Sequence, residues 1–293
     1  MDVSIIIVNY NSKELLKESI SSLLKYTRNV KYEIIVVDNN STDGSAEMIE
    51  ENFPQVILIK SEKNLGLFAG RNLALKHVKG RYILNSAPDI LLIENSIYEM
   101  VKFMDEHPEI GMMGPQLLNS DGTIQESGAR FIDLLDGLWN FLMLNGLVGL
   151  NNPVRLRHHY YPWDRTTDKE CDVVSGSFYI FPKSVLEKIG YYDENFFVYC
   201  DEEDWAQRIK RLGYKVYYWT GTKVIHYHAK GGTHALGRDK ADLVYFNDLL
   251  YYYKKYYGII AYLMFKFISW FTLPMLFLFR KFKNFLLTKI FNA

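Results

Sequence analysis

The first third of the chain alternates apolar runs with amphipathic stretches. Residues 3–8 form an apolar run of the kind that makes a parallel strand buried on both faces. Leu15, Leu16, Ile20, Leu23 and Leu24 then recur at helical spacing, with Ser12 as the expected N-cap. Further along, the pattern predicts strands at 34–37, 56–60 and 82–84 and helices at 45–52 and 69–77. Strand–helix–strand order with short links predicts a parallel sheet wound by right-handed crossovers. Ligands of such sheets sit at the carboxyl ends of the strands. The polar clusters at 9–12, 38–43 and 85–89 fall at those ends.

The middle of the chain is less regular. Residues 128–170 carry apolar and aromatic positions without a sustained period, and are expected to form loops and short helices over the site. Order returns at 172–181, a strand pair or bent strand around Ser175, Gly176 and Ser177. Helices are expected at 183–189 and 203–212, and strands at 215–219 and 223–226. The expected organisation is a first half over 1–115, a second half over 116–240 continuous with it, and a separate helical region over 241–293.

That last region changes character. After Asp248 there is no acidic residue, while Lys254, Lys255, Lys266, Arg280, Lys281, Lys283 and Lys289 remain. A run at 258–279 contains one charge, Lys266, and one proline, Pro274. Its length is sufficient to span a bilayer, roughly 20 residues. The interior lysine, the proline and the basic flank favour an in-plane pair of amphipathic helices on an anionic membrane surface. The competing readings are a spanning helix and a C-terminal helix packed on the protein's own core.

Composition adds bounds. The 293 residues, 48% hydrophobic, are enough for a large core. Basic and acidic residues number 34 each, so bulk charge gives no case for nucleic acid. Cys171 and Cys200, far apart, make neither a disulfide framework nor a zinc site and fit a reducing compartment. The N-terminus has no basic segment followed by an apolar core and reads as a first strand, so the body is expected in the cytosol.

Seven segments occur in order: SIIIVNYNS, EIIVVDNNSTDGS, NLGLFAGRN, GRYILNSAPDI, VVSGSFYIFPKSVLEKIGYYDENFF, DEEDWAQRIKRLGYKV and VIHYHAKGG. Together they resemble the family 2 glycosyltransferases of the GT-A fold, especially the rhamnosyltransferase-like branch of bacterial polysaccharide assembly. The resemblance covers about residues 1–235. It implies an α/β fold with a mostly parallel sheet flanked by helices, a nucleotide-diphosphate sugar donor, Mn²⁺ or Mg²⁺, and inversion at the anomeric carbon. For this branch it implies transfer of L-rhamnose from dTDP-rhamnose to a lipid-linked glycan. A UDP-hexose or UDP-N-acetylhexosamine donor and a catalytically silent nucleotide-sugar binding protein are the alternatives.

Site residues follow from the residues and the resemblance together. Asn9, Tyr10, Asp38 and Asn39 end adjacent strands. A carboxylate or amide there accepts the imide hydrogen of uracil or thymine, and an aromatic ring covers the base. The structural alternative for Asp38 is an Asx turn, and Asp43 is expected to cap the next helix. Arg71, near the start of its helix, suits a diphosphate, against a salt bridge as the alternative. Asp89 ends the fourth strand where the family places an acidic metal-binding pair, but the first acidic position here is Ala87, which cannot ligate a metal. Either one carboxylate serves, or an aspartate has been exchanged for this alanine, which leaves this chain's own activity impaired. The run Asp201-Glu202-Glu203-Asp204 lies where the family has its general base. By the resemblance Glu202 is the first choice and Asp201 the second, with Asp204 paired to Arg208 along the helix. His226, and less so His228 beside Lys230-Gly231-Gly232-Thr233, is placed to complete the metal shell or bind the diphosphate.

Overall fold

The computed structural model describes residues 1–144, 148–149, 151–227 and 235–291. Strands β1 (Val3–Asn9), β2 (Tyr32–Asp38), β3 (Ile57–Lys60) and β4 (Tyr82–Ser86) are joined by helices α1 (Lys13–Tyr26), α2 (Ser45–Asn52) and α3 (Gly66–Leu75). These four strands run parallel in the order β3-β2-β1-β4. The apolar runs are buried on both faces as their pattern requires: Val3, Ile5, Ile7, Ile35, Val36, Val37, Ile83 and Leu84 are all fully enclosed.

The second half continues the sheet with mixed direction. It contains β5 (Ile90–Leu92), α4 (Ser96–Glu106), β6 (Ile110–Leu118), α5 (Leu134–Phe141), α6 (Pro153–His158), β7 (Lys169–Cys171), β8 (Phe178–Pro182), α7 (Lys183–Ile189), α8 (Asp201–Arg211), β9 (Lys215–His226) and α9 (Arg238–Phe291). β8 lies antiparallel to β4, then β6, β9 and β5 follow, with β7 on the edge of β9. The two strands expected at 215–219 and 223–226 are one, because β6 follows it through a register shift between Pro115 and Gln116.

Two local expectations are corrected. Ser12 makes no side-chain cap; its hydroxyl donates to the Tyr10 carbonyl, and Asp43 accepts from the Lys13 amide instead. Asp43 also accepts from the Ser45 amide, so one carboxylate holds the starts of α1 and α2. The described residues of 128–170 do not cover the polar strand ends. Ala129 bridges Val173, Gln116 donates to the Arg165 carbonyl, and Trp163 packs edge-on against Tyr218.

Helix α9 is broken at Gly258, where φ is 86°. The arm before the break belongs to the core: Phe246, Leu249, Tyr252 and Tyr253 are buried. The arm after it buries Ala261, Phe265 and Ser269 against the body and exposes Ile260, Leu263, Phe267, Trp270, Phe271 and Met275. Phe265 stacks on Phe141 of α5 at 4.8 Å, so the two helices lie side by side. On α5 itself Leu134, Leu135 and Leu138 point outward, extending the exposed apolar surface. By length and composition α9 qualifies as a membrane-crossing helix over Arg238–Leu276, with a mean hydropathy of 1.6 in its most apolar window.

Candidate active site

A cleft of about 510 Å³ opens at the carboxyl ends of β1, β2 and β4. Tyr10, Asn39, Arg71, Ala87, Asp89, Asp201, Glu202 and His226 all line it. Strand register assembles them. Asn9 stands opposite Asp38, and Ile7 opposite Ser86, so the polar ends of β1, β2 and β4 meet on one rim. Ser86 lies opposite Phe178, which brings the 175–177 bend to Ala87, whose amide donates to the Ser177 carbonyl at 2.7 Å. Ile90 lies opposite His226, which sets His226 Nε2 3.5 Å from Asp89 Oδ1.

Asn9 and Asp38 sit behind the cleft wall. Asp38 is buried and accepts from Asn9 Nδ2 at 3.1 Å and from the Ser41 amide, three residues on, at 3.0 Å, a local bond that holds the loop after β2. Asn39 ties the end of β2 to the entry of α3: its amide nitrogen donates to the Gly66 carbonyl at 2.9 Å and its oxygen accepts from Leu65.

Arg71 is not where the sequence pattern puts it. α3 begins at Gly66, so Arg71 lies more than a turn inside the helix rather than at its start. The first-turn amides of α3 are already engaged: Gly66 donates to Asn64 Oδ1 and Leu67 to the Phe197 carbonyl. The buried Arg71 guanidinium pairs with Asp201 and donates to the Gly176 carbonyl at 2.9 Å, above the rings of Tyr179 and Tyr192. Burial opposes its charge, but the Asp201 carboxylate more than offsets that and keeps it protonated.

The acidic run at the start of α8 divides its work. Burial opposes ionisation of Asp201, yet Arg71 holds its carboxyl below the usual range. Glu202 lines the cleft without such a counter-ion, and burial together with the neighbouring Asp201 charge pushes it well above its ordinary value. Gly176 makes this contact possible: a β-carbon there would stand 2.8 Å from Asp201 Oδ1 and 3.0 Å from Glu202 Oε2. Asp204 is buried and bound by Arg208, as the helical spacing predicts, and also by Lys255 and Tyr256 of α9.

The residues that position this pair were not visible as a motif. Asp248 of α9 accepts backbone hydrogen bonds from Phe197, Val198 and Tyr199 at 2.8–2.9 Å, clamping the loop that leads into Asp201. Tyr251 and Lys255 grip Asp193 in the same segment. The only sequence signal was that Asp248 is the last acid before a basic tail.

For a divalent cation, Asp89 and His226 form the fitting pair. The His226 Nδ1 contacts Gln125 at 3.0 Å, which orients Nε2 toward Asp89. Among the described residues no group of three or more His, Cys, Asp or Glu is placed to hold a metal. Two protein ligands plus donor phosphate oxygens is nonetheless the usual way such ions are held beside a diphosphate. His228 and 230–233 lie outside the described residues.

Residues 4–190 match the profile described as glycosyl transferase family 2. The chain is a family 2 glycosyltransferase. Curated relatives of this glycosyltransferase include the N-acetylglucosaminyl-diphospho-decaprenol L-rhamnosyltransferase of Mycobacterium tuberculosis, 24% identical over 81% of this chain and 78% of that one. Another is the UDP-Glc:alpha-D-GlcNAc-diphosphoundecaprenol beta-1,3-glucosyltransferase WfgD of Escherichia coli, 33% identical over 50% of this chain and 57% of that protein. Among solved structures, GalNAc-T7 with UDP, GalNAc and Mn²⁺ superposes with a TM-score of 0.58 at 17% identity, over 77% of this chain. The glycosyltransferase spans only 44% of that structure's length. The fold is therefore GT-A, as the sequence resemblance implies.

Proposed function

We propose that this glycosyltransferase moves a sugar from a nucleoside diphosphate donor to a hydroxyl of a lipid-linked glycan, with inversion, at the cytoplasmic face of a membrane. The observation that carries this reading is the one cleft in which the polar ends of β1 and β2, the Asp89–His226 pair and the Asp201–Glu202 pair converge. Tyr10 and Asn39, with Asp38 and Asn9 behind them, form the nucleotide end. Asp89 and His226 form the other end and would hold Mn²⁺ or Mg²⁺, which would supply positive charge to the departing diphosphate.

Glu202 is the proposed general base. It faces the cleft, whereas Asp201 is committed to Arg71. Inversion needs one carboxylate to take the acceptor hydroxyl proton while the oxygen attacks the anomeric carbon. The role assigned to Arg71 changes accordingly: it holds Asp201 ionised beside Glu202, and meets a donor diphosphate only by loosening that pair.

The proposed donor is dTDP-L-rhamnose, supported by the name of the mycobacterial relative. A UDP-hexose or UDP-N-acetylhexosamine is the second reading, supported by the name of the Escherichia coli relative and the UDP of the superposed structure. Lipid-linked acceptors are supported by both relatives' names. Ala87 on the cleft wall favours the reading of a silent sugar-nucleotide binder. Membrane attachment is proposed as peripheral. The second arm of α9 packs Ala261 and Phe265 on the body, so it lies along the protein with its opposite face free for lipid.

A thermal-shift screen of UDP, dTDP, GDP and their sugars, with and without Mn²⁺, tests the reading. A ligand of the folded state raises the melting temperature by mass action. The expected result is a metal-dependent rise with dTDP-rhamnose exceeding UDP-sugars. No rise with any nucleotide overturns the proposal.

A further inference from the structure

α8 has two polar faces. Glu202 looks into the cleft, while Glu203, one residue on, looks into a separate cavity of about 220 Å³ between α5, α6 and α8. We infer that this second cavity is a saccharide subsite that takes one neutral pyranose ring. Nothing in the proposed donor chemistry is needed for it, and among the described residues it shares no lining side chain with the cleft.

The cavity is polar, roomy and unsatisfied. Glu203 Oε2, His158 Nδ1 and His159 Nδ1 are buried atoms without a hydrogen-bond partner, and all three residues line it. Glu203 is 5% exposed, so its orphaned oxygen has no route to bulk solvent except through this space. Buried orphans of this kind are costly and are met by water or a ligand. The space holds several waters or one six-membered sugar ring.

The wall chemistry selects a hydroxylated, uncharged occupant. Trp139 and Tyr245 supply flat aromatic faces, and Asn140 supplies an amide that both donates and accepts. Arg155 is paired with Glu126, so it offers no free charge to an anion. Asp136 would repel one. Burial lowers His158 and His159 to about 4, so both rings are neutral at physiological pH. Burial, with Asp133 nearby, raises Asp136 to about 6, and burial raises Glu203 above its ordinary value. Burial thus favours the neutral form of Glu203, in which the carboxyl can donate as well as accept. Among the described residues, no set of three such side chains is placed to hold a metal ion.

Position supports the same occupant. α5, which carries Trp139 and Asn140, has outward leucines on one side and packs against the exposed apolar arm of α9. The cavity thus lies between the apolar surface and the helix that bears Glu202. Two sources fit a neutral pyranose there: a ring within an acceptor glycan, or a free saccharide.

Saturation-transfer NMR on the full chain, with methyl α-L-rhamnopyranoside, methyl α-D-glucopyranoside and methyl N-acetyl-β-D-glucosaminide as probes, tests the inference. At least one probe should receive saturation, keep it when UDP or dTDP with diamagnetic Mg²⁺ is added, and lose it in Trp139→Ala. Asn140→Leu, which fills the cavity without removing an aromatic wall, should abolish the signal too, with circular dichroism unchanged. Absence of transfer from all three probes, or transfer untouched by both substitutions, overturns the proposal and leaves the cavity to water. Signal displaced by the nucleotide also overturns it, because the probe is then in the cleft. Within a positive result, inhibition of transfer to a long acceptor glycan but not to a single-sugar acceptor identifies the acceptor as the source. Lack of any such inhibition identifies a free saccharide. Nucleotide-induced melting shifts report the cleft separately, so failure of the donor reading and failure of this one are told apart.

Discussion

Asp201 and Glu202 follow one another in the chain, and the fold gives them different partners. Arg71 neutralises Asp201, while Glu202 is left raised and facing the cleft. Glu202→Gln preserves shape but cannot take a proton. It should keep donor affinity and lower kcat by about 10²–10⁴-fold, read by steady-state kinetics. Unchanged kcat moves the role to another acid. A raised base is active only above its pKa, so the acid limb of the kcat profile should lie above the ordinary carboxylate range. Removing the Asp201 charge and freeing Arg71 both favour the Glu202 anion. Asp201→Asn should therefore move that limb to lower pH; a move to higher pH contradicts the assignment. At the metal end, Ala87→Asp adds a carboxylate beside Asp89. Turnover with Mn²⁺ should rise at least about tenfold, a barrier change near 1.4 kcal/mol. No gain means that alanine is native to this site.

Single elements carry more than their motif. α3 was read as a diphosphate-binding helix start, but its first amides are consumed by Asn64 and Phe197. Its contribution is Arg71 on an interior turn. The first arm of α9 was read as part of a membrane device, yet through Asp248, Tyr251, Lys255 and Tyr256 it straps the segment 193–204 in front of the acid pair. Lys255 is accordingly an ion-pairing residue and not one of the cations available to lipid. Asp248→Ala strips three backbone amides of their acceptor. It should destabilise the protein by roughly 2–4 kcal/mol in urea unfolding and lower kcat in the fraction that remains folded. A stability within about 0.5 kcal/mol of the unsubstituted protein would show that the loop holds itself.

On the scale of the whole molecule, the apolar surface is shared between α5 and the second arm of α9. Cutting the chain at 250 would remove Tyr252, Tyr253 and Phe265 from the core, so point substitutions give a cleaner test of attachment. Ile260 is 81% exposed and Phe267 61%. The double change Ile260→Glu and Phe267→Glu should leave the melting temperature unchanged. Each side chain loses about 1.5–3 kcal/mol of transfer to lipid, so sedimentation with anionic vesicles should weaken by at least about tenfold. High salt should release the unsubstituted protein at least in part, since the remaining cations act through a screened field. Vesicle binding equal to that of the parent would exclude this face as the attachment surface.

Hydrophobic periodicity by itself determined the strands and helices of the first third and the placing of polar clusters at strand ends, because parallel strands buried on both faces admit few other patterns. The family resemblance, carried by an ordered set of motifs, singled out Asp89, Glu202 and His226, and the structure brings all three to one cleft. What only the tertiary structure decided are the relations between distant segments: Arg71 with Asp201, Asp89 with His226, and Asp248 with the 197–199 loop. Each depends on strand register or on a helix returning across the sheet, and neither leaves a periodic mark in the chain. The same holds for the described residues of 128–170, whose Phe141 and Trp163 pack on α9 and β9 rather than over the cleft. Charge counting could not separate the lysine that straps the active-site segment from those that remain at the surface, since that distinction exists only once α9 is folded onto the body.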